Sequence, residues 1–151
     1  MTSRDQSETR ATPPRAGGGG GARTRPGPTS RPASRTRELG VRGEDIAAGH
    51  LARSGWSILA RNWRCSEGEA DIVARDGCDV VVVEVKTRSS GGAGHPFEAV
   101  TPAKVARLRR IAMAWALEHP GTCRQVRLDA IAVTAPDGLP PLVEHLRAVG
   151  A

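Results

Sequence analysis

The hydrophobic positions of this chain are densest between residues 68 and 88, where two apolar runs flank a short polar turn. Residues 72–74 read Ile-Val-Ala, residues 80–83 are four consecutive valines, and Asp76-Gly77-Cys78-Asp79 separates the two runs. β-Branched residues on both sides of a turn that contains Asp and Gly are typical of a β-hairpin. The second run is continuously apolar, which predicts a central strand buried on both faces.

The patterns on either side of this hairpin predict the remaining elements. Gly55 suits the position that follows a helix, and Thr101-Pro102 suits the N-cap and first residue of another. The predicted elements outside the hairpin are a helix at 38–54, a strand at 56–63 with Trp56 and Ile58 directed inward, a helix at 102–118, a strand at 125–134 and a last strand at 142–149, for which a short helix is the alternative. The order α-β-β-β-α-β favours an α/β fold with a mixed sheet and helices on its faces.

The hairpin register predicts that charged residues meet. If Gly77-Cys78 is the centre of the turn, Asp71 lies opposite Glu84 and Glu69 lies opposite Lys86. Residues two apart share a strand face, so these four side chains would form one cluster. Opposed carboxylates repel each other and are costly to bury unless a cation lies between them. The alternative is a set of ordinary ion pairs at a strand end, and a slip of one residue would turn Asp71 to the other face.

Asp71 followed by Glu84-Val85-Lys86 on the next strand resembles the motif of the Mg²⁺-dependent PD-(D/E)xK nucleases. Further motifs resemble the YraN-type family of uncharacterised bacterial proteins over residues 38–149. These motifs are, in chain order, Gly43-Glu44, Ala47 with Leu51, Gly55-Trp56, Arg61-Asn62-Trp63-Arg64, Gly68-Glu69-x-Asp71, Val83-Glu84-Val85-Lys86-Thr87-Arg88, Gly94-x-Pro96, Lys104 and Arg127-x-Asp129. The resemblance implies a restriction-endonuclease-like fold of three α/β/α layers with a central mixed β-sheet. Ala70 replaces the Pro of the superfamily name, at a position that supplies no ligand atom.

The resemblance also assigns roles within the acidic cluster. The implied catalytic residues are Asp71, Glu84 and Lys86. The implied metal ligands are Asp71, Glu84, the Val85 carbonyl, Glu44 and Glu69. Oxygen ligands suit the hard cations Mg²⁺ and Mn²⁺ better than soft metals. For Glu44 the alternative is a favourable place at the positive end of the helix dipole, since it lies near the predicted helix start.

Basic residues lie close to these acids in the predicted fold. The candidates for contacts with nucleic acid phosphates are Arg61, Arg64, Arg88, Lys104, Arg107 and Arg110. Three of them recur at three-residue spacing on the second predicted helix. Solvated surface positions without a ligand are the alternative. On the following strand, Arg127 and Asp129 share a face, which predicts an ion pair between them.

Composition divides the chain at about residue 38. Residues 1–37 contain the run Gly17–Gly21, many Pro, Ser and Thr, and eight Arg against two acids, so we predict a disordered tail. Residues 38–151 hold fourteen basic and fourteen acidic residues, and they form the predicted endonuclease-like domain. The basic tail is either a flexible arm for nucleic acid phosphates or a solvated extension without a role.

These features predict a Mg²⁺-dependent nuclease, and the resemblance to Holliday-junction resolvases suggests an endonuclease acting on structured or branched DNA. The alternatives are a non-catalytic nucleic-acid-binding module with the same fold, which a net-neutral domain favours, and a scaffold for a protein partner. The resemblance admits a homodimer, because many related nucleases dimerise to cut two strands. No run approaches the ~20 apolar residues of a membrane span, and we expect a cytoplasmic protein.

Overall fold

Five strands and two α-helices follow the predicted order in residues 32–90, 94–122 and 124–151, the residues that this computed structural model describes. The elements are α1 (Pro32–Arg53), β1 (Ser57–Cys65), β2 (Gly68–Asp76), β3 (Asp79–Arg88), a 3-10 helix (Pro96–Ala99), α2 (Pro102–Glu118), β4 (Val126–Thr134) and β5 (Leu142–Leu146). The last segment is a strand, as favoured from its sequence. The chain is therefore a mixed α/β protein.

One five-stranded sheet carries the fold, with the strands in the order β1-β2-β3-β4-β5. The β3–β4 pair is parallel, and the other three pairs are antiparallel, which makes the sheet mixed. β3 is the central strand, and its four valines at 80–83 are fully buried. The prediction of a central strand covered on both faces is confirmed.

The two helices cover opposite faces of the sheet. Side chains alternate along β3, so Val81 and Val83 pack with α1 whereas Val80 and Val82 pack with α2. The α1 core contains Ala47, Leu51, Trp56, Ile72, Ala74, Ile131 and Val133, and the α2 core contains Ala70, Val73, Val105, Leu108, Ile111, Ala112, Trp115 and Leu128. In β3, odd-numbered residues therefore face α1 and even-numbered residues face α2.

Helix α2 has the predicted bounds. Its N-cap is Thr101, whose hydroxyl accepts a hydrogen bond from the Lys104 backbone N–H at 3.3 Å, and Pro102 follows it. The cap satisfies a backbone donor that has no partner inside the helix. It also determines that Lys104 lies in the first turn.

Helix α1 begins earlier than predicted. It starts at Pro32, six residues before the predicted start at Glu38, so residues 32–37 are helical although we assigned them to the tail. Their lack of large apolar side chains suggested disorder, but adding a turn to a helix that already packs on a core costs less than nucleating one. Residues 1–31, the rest of the predicted disordered tail, lie outside the described residues. No helix in the described part of the chain is long and apolar enough to span a membrane.

Candidate functional site

A gap opens between β2 and β3 beyond their paired section. The partners run from Asp76–Asp79 to Ile72–Val83, and this is the predicted register. The predicted pairing of Asp71 with Glu84 and of Glu69 with Lys86 is wrong, because the pairing stops at Ile72. From that point β2 continues along β1 and β3 continues along β4, so the two strands diverge.

Beside this gap, the side chains of the β1–β2 pair change from one side of the sheet to the other. Arg61 and Ile72 are partners on the α1 side, whereas Trp63 and Ala70, the next partners on each strand, pack with the α2 core. Residues two apart on a strand normally share a face, so the chain makes a half-turn between the two pairs. Asn62 allows this turn with a φ of 50°, in the left-handed region that Asn tolerates better than most residues.

Asp71 lies within this half-turn, between Ala70 and Ile72 of β2, and its side chain reaches across the gap to β3. Its Oδ2 accepts a hydrogen bond from the Val85 backbone N–H at 2.7 Å. Burial, together with the nearby carboxylates of Glu84 and Glu44, raises the pKa of Asp71 to about 7, although the Val85 hydrogen bond and Lys104 oppose the shift. Among the described residues, no basic side chain pairs with Asp71. The gap thus holds negative charge that lacks full compensation.

Glu84 lies on the α2 side of the same gap. It is almost completely buried, and its Oε1 forms a close ion pair with the Lys104 ammonium from α2. We predicted Lys104 as a phosphate contact on a helix surface, but the structure places it on the acidic cluster. The spacing of basic residues along α2 could not reveal this contact, because it depends on how the helix packs on the sheet.

Glu44 approaches from the α1 side. It accepts a hydrogen bond from Asn62 Nδ2 at 3.1 Å and lies 3.9 Å from Arg61 Nη2. The dipole alternative for Glu44 is wrong, since α1 begins twelve residues before it, far beyond the first turn. Our sequence reasoning missed the role of Asn62; an Asn within a strand pattern was the one available indication of a left-handed residue.

The other two residues of the predicted cluster form no contact with Asp71 among the hydrogen bonds and ion pairs of the described residues. Glu69 pairs with Arg64 at 3.0 Å. Lys86 is exposed and forms no ion pair with a described residue. In ranges 32–90, 94–122 and 124–151, no three His, Cys, Asp or Glu side chains converge closely enough to hold a metal ion by themselves. Asp71, Glu84 and Glu44 are thus close enough to interact electrostatically, but they do not form a complete metal-coordination site.

Most of the predicted phosphate contacts already have partners within the chain. Arg61 pairs with Asp45 at 2.7 Å and Arg110 with Glu67 at 2.7 Å, besides the pairs of Arg64 and Lys104. Arg88 donates a hydrogen bond to the Gly94 carbonyl at 2.7 Å. Arg107 lies against Gly68, at the start of β2. Four of the six predicted phosphate contacts are therefore neutralised by carboxylates of the chain itself.

A second charged network lies on the α1 side of β4 and stabilises the sheet. Asp129, fully buried, accepts hydrogen bonds from Arg127 Nε at 2.9 Å and from the Ala148 N–H at 3.0 Å, and His145 Nε2 lies 2.8 Å from it. Arg127 also pairs with Asp76. Burial alone would raise the pKa of Asp129, but the bonds from His145 and Arg127 hold it below its usual value. The predicted Arg127–Asp129 pair is confirmed.

Comparison with known proteins gives a family match over most of the folded chain. The model of Uncharacterised protein family UPF0102 matches residues 43–133. A UPF0102 protein of Arthrobacter sp. (strain FB24) is 55% identical over 112 residues, 74% of this chain and 95% of that relative. Similar proteins come from Renibacterium salmoninarum, 50% identical over 113 residues (75% and 96% covered), and Frankia alni, 52% identical over 109 residues (72% and 91% covered). The matched region contains every residue of the gap.

Proposed function

The chain belongs to Uncharacterised protein family UPF0102, and on that premise we propose that it is a divalent-metal-dependent nuclease. The observation that carries the proposal is the meeting of Asp71 and Glu84 where β2 and β3 separate, with Glu44 beside them. A carboxylate such as Asp71, whose pKa is raised by burial and by neighbouring carboxylates, is typical of functional centres. We also propose that the sheet is of the restriction-endonuclease-like type.

The chemistry of the donors fits Mg²⁺ or Mn²⁺. Carboxylate oxygens are the ligands that these cations prefer, and Mg²⁺ usually keeps several waters, so two or three protein ligands suffice. The raised pKa of Asp71 means that a cation placed here would gain favourable electrostatic energy. Asp71 and Glu84 would hold the ion, with the Val85 carbonyl and Glu44 as further oxygen donors. Glu69 is a weaker candidate for a metal ligand, because its carboxylate already pairs with Arg64.

The reaction we propose is hydrolysis of a phosphodiester bond. A divalent ion in this site would supply the acidity that activates a water and neutralises charge on the phosphate. Asp71 and Glu84 orient that centre from two strands, while the Val85 N–H fixes one Asp71 oxygen at 2.7 Å. The exposed ammonium of Lys86, two residues after Glu84, is free to orient the attacking water. DNA of branched or otherwise irregular structure is the proposed substrate.

A non-catalytic nucleic-acid-binding module is the second candidate. The observation in its favour is that Glu84 is already paired with Lys104 and that no three-ligand metal group forms in the described residues. In this alternative Asp71 and Glu84 maintain the fold of the gap without turnover. Metal-dependent cleavage distinguishes the two functions.

The test is cleavage of branched and linear DNA by the full chain with Mn²⁺, comparing wild type with Asp71→Asn. We expect the substitution to reduce cleavage by at least about 100-fold, because it removes a charged ligand at the reacting centre, and to leave DNA binding intact. Asp137→Asn, in an exposed turn, is the matched control and should cleave like wild type. Undiminished cleavage by Asp71→Asn would refute the metal assignment, and absence of cleavage in wild type would favour the binding module.

A further inference from the structure

Lys104 differs from the other predicted phosphate contacts that form ion pairs in how deeply its pair is buried. The Lys104 side chain is 19% exposed and its partner Glu84 is 11% exposed, whereas the side chains of Arg64 and Arg110 are 77% and 57% exposed. Exposed pairs of the latter kind contribute little to stability. The Lys104–Glu84 pair is shielded from water, so each partner depends strongly on the other.

The helix itself does not explain why a lysine stands here. Lys104 lies in the first turn of α2, where the helix dipole is positive and favours acidic side chains. This first turn contains no acid. A cation at that end costs electrostatic energy, and the carboxylates of Glu84 and Asp71 compensate for it. A lysine at this position therefore compensates the charge of the acidic gap, the space between β2 and β3 that holds Asp71, Glu84 and Glu44, and does not stabilise the helix.

We propose that Lys104 is the internal counter-ion of the acidic gap and that a divalent cation displaces its ammonium from Glu84. The inference rests on the proposed metal site. An ammonium in contact with a carboxylate oxygen leaves no room for a metal ion on that oxygen, and two cations at contact distance repel each other strongly in a shielded site. The flexible four-carbon stem of Lys allows the ammonium to move into water while α2 stays in place.

Competition of this kind lowers the metal affinity of the wild-type protein. Titration calorimetry of the full chain with Mn²⁺ at about pH 8, above the pKa of Asp71, measures it directly. We expect Lys104→Met to bind Mn²⁺ at least about tenfold more tightly than wild type, since no ion pair must be broken first. Lys104→Arg retains a cation and should bind nearly like wild type. Arg109→Met removes the same charge from the same helix, where Arg109 contacts the Gly150 carbonyl, and should leave the affinity unchanged.

A second measurement needs no variant. The chain has two lysines, Lys86 and Lys104, so acetylation by acetic anhydride followed by mass spectrometry reports each amine separately. We expect Lys104 to react slowly without metal and several-fold faster when Mg²⁺ is added. Free Nα-acetyl-lysine added to the same reaction is the reference amine and should react at the same rate throughout.

The outcomes separate this inference from the proposed function. If wild type binds Mn²⁺ and Lys104→Met binds it equally or more weakly, the counter-ion role is refuted while the metal site stands. The same holds if Mg²⁺ binds but does not change the labelling rate of Lys104. If neither cation binds to wild type or to any variant, the metal site and the counter-ion role both fail.

Discussion

The protonation of Asp71 has a consequence for stability that can be measured without a substrate. Its pKa is raised from 3.8 to about 7 in the folded protein by burial and by Glu84, so between those pH values the folded state binds more protons than the unfolded state. Stability must then fall as pH rises through this window, and the loss is complete above pH ~7. The sign is opposite to that of a carboxylate held by a salt bridge.

We predict that Asp71→Asn abolishes this loss. Asn cannot ionise but its oxygen still accepts the Val85 hydrogen bond, so the variant should gain about 2 kcal/mol relative to wild type between pH ~5 and pH ~8, after allowing for solvent screening of a half-buried group. Urea unfolding in the presence of a chelator, monitored by tryptophan fluorescence, measures the difference. Parallel pH profiles for the two proteins would show that Asp71 has an ordinary pKa.

Asp129 illustrates the opposite electrostatic case at the same scale. It is fully buried with its charge held by Arg127, His145 and a backbone N–H, and its pKa is lowered. We predict that Asp129→Asn lowers the free energy of unfolding by about 2–4 kcal/mol at neutral pH, because Arg127 loses a buried counter-charge. Since the stabilisation requires the carboxylate, the difference from wild type should shrink as the pH falls below the usual pKa of Asp and should be lost once the pH passes below the lowered pKa of Asp129 in the folded protein. Urea unfolding at several pH values measures the loss of stability and its pH dependence. Asp137→Asn, at an exposed position, is the control and should leave the free energy of unfolding unchanged.

At the scale of elements, the close packing of α1 on β3 places Glu44 beside the gap. Gly43 is the residue that permits it, since a methyl group there would lie 2.7 Å from Thr87 Cβ and overlap the Thr87 hydroxyl. Helix propensity alone predicts that Gly→Ala stabilises a helix interior by about 1 kcal/mol. The packing argument predicts the opposite sign at this position.

We predict that Gly43→Ala destabilises the protein by about 1–3 kcal/mol, as overpacking of a well-filled contact usually does. Gly40, one turn earlier in the same helix, has no atom within 4 Å of an added methyl group, so Gly40→Ala should stabilise it by about 0.5–1 kcal/mol. Thermal unfolding of the two variants and of wild type shows whether each substitution stabilises or destabilises the protein. A stabilising Gly43→Ala would mean that α1 does not lie this close to β3.

The elements also show which features sequence can predict. The hairpin register followed from the turn Gly77-Cys78 and the valine run, because turn geometry and two-faced burial leave one consistent pairing. That same rule, extended beyond Ile72, predicted an Asp71–Glu84 pair that does not form. Where β2 and β3 separate depends on their outer partners β1 and β4, and no local pattern encodes that point. Lys104 reaches the site because of how α2 packs on the sheet, and Asn62 reaches it because of its left-handed backbone conformation. Neither feature follows from a local sequence pattern.

At the scale of the whole molecule, the positive charge is unevenly distributed. Residues 38–151 are balanced, with fourteen basic and fourteen acidic residues, and the basic residues around the gap are largely paired within the chain. A paired arginine must give up its carboxylate before it can bind a phosphate, which reduces its contribution to affinity. The six arginines of residues 1–31, with Asp5 and Glu8 as their acids, are therefore the main reserve of positive charge.

This distribution predicts where the salt dependence of the proposed nucleic acid binding originates. Each phosphate neutralised by a cation adds about 0.9 to the slope of log affinity against log salt concentration on duplex DNA. Replacing the six arginines of residues 1–31 by Ser should therefore reduce the slope by about 3–5 and weaken binding to all sequences alike. The matched control removes a pair from the folded part, Arg64→Gln with Glu69→Gln, which leaves the net charge unchanged and should alter the slope by less than about 0.5. If the control changed the slope as much as the tail variant, the paired arginines would be phosphate contacts after all, and the surface around the gap would open its ion pairs to bind DNA.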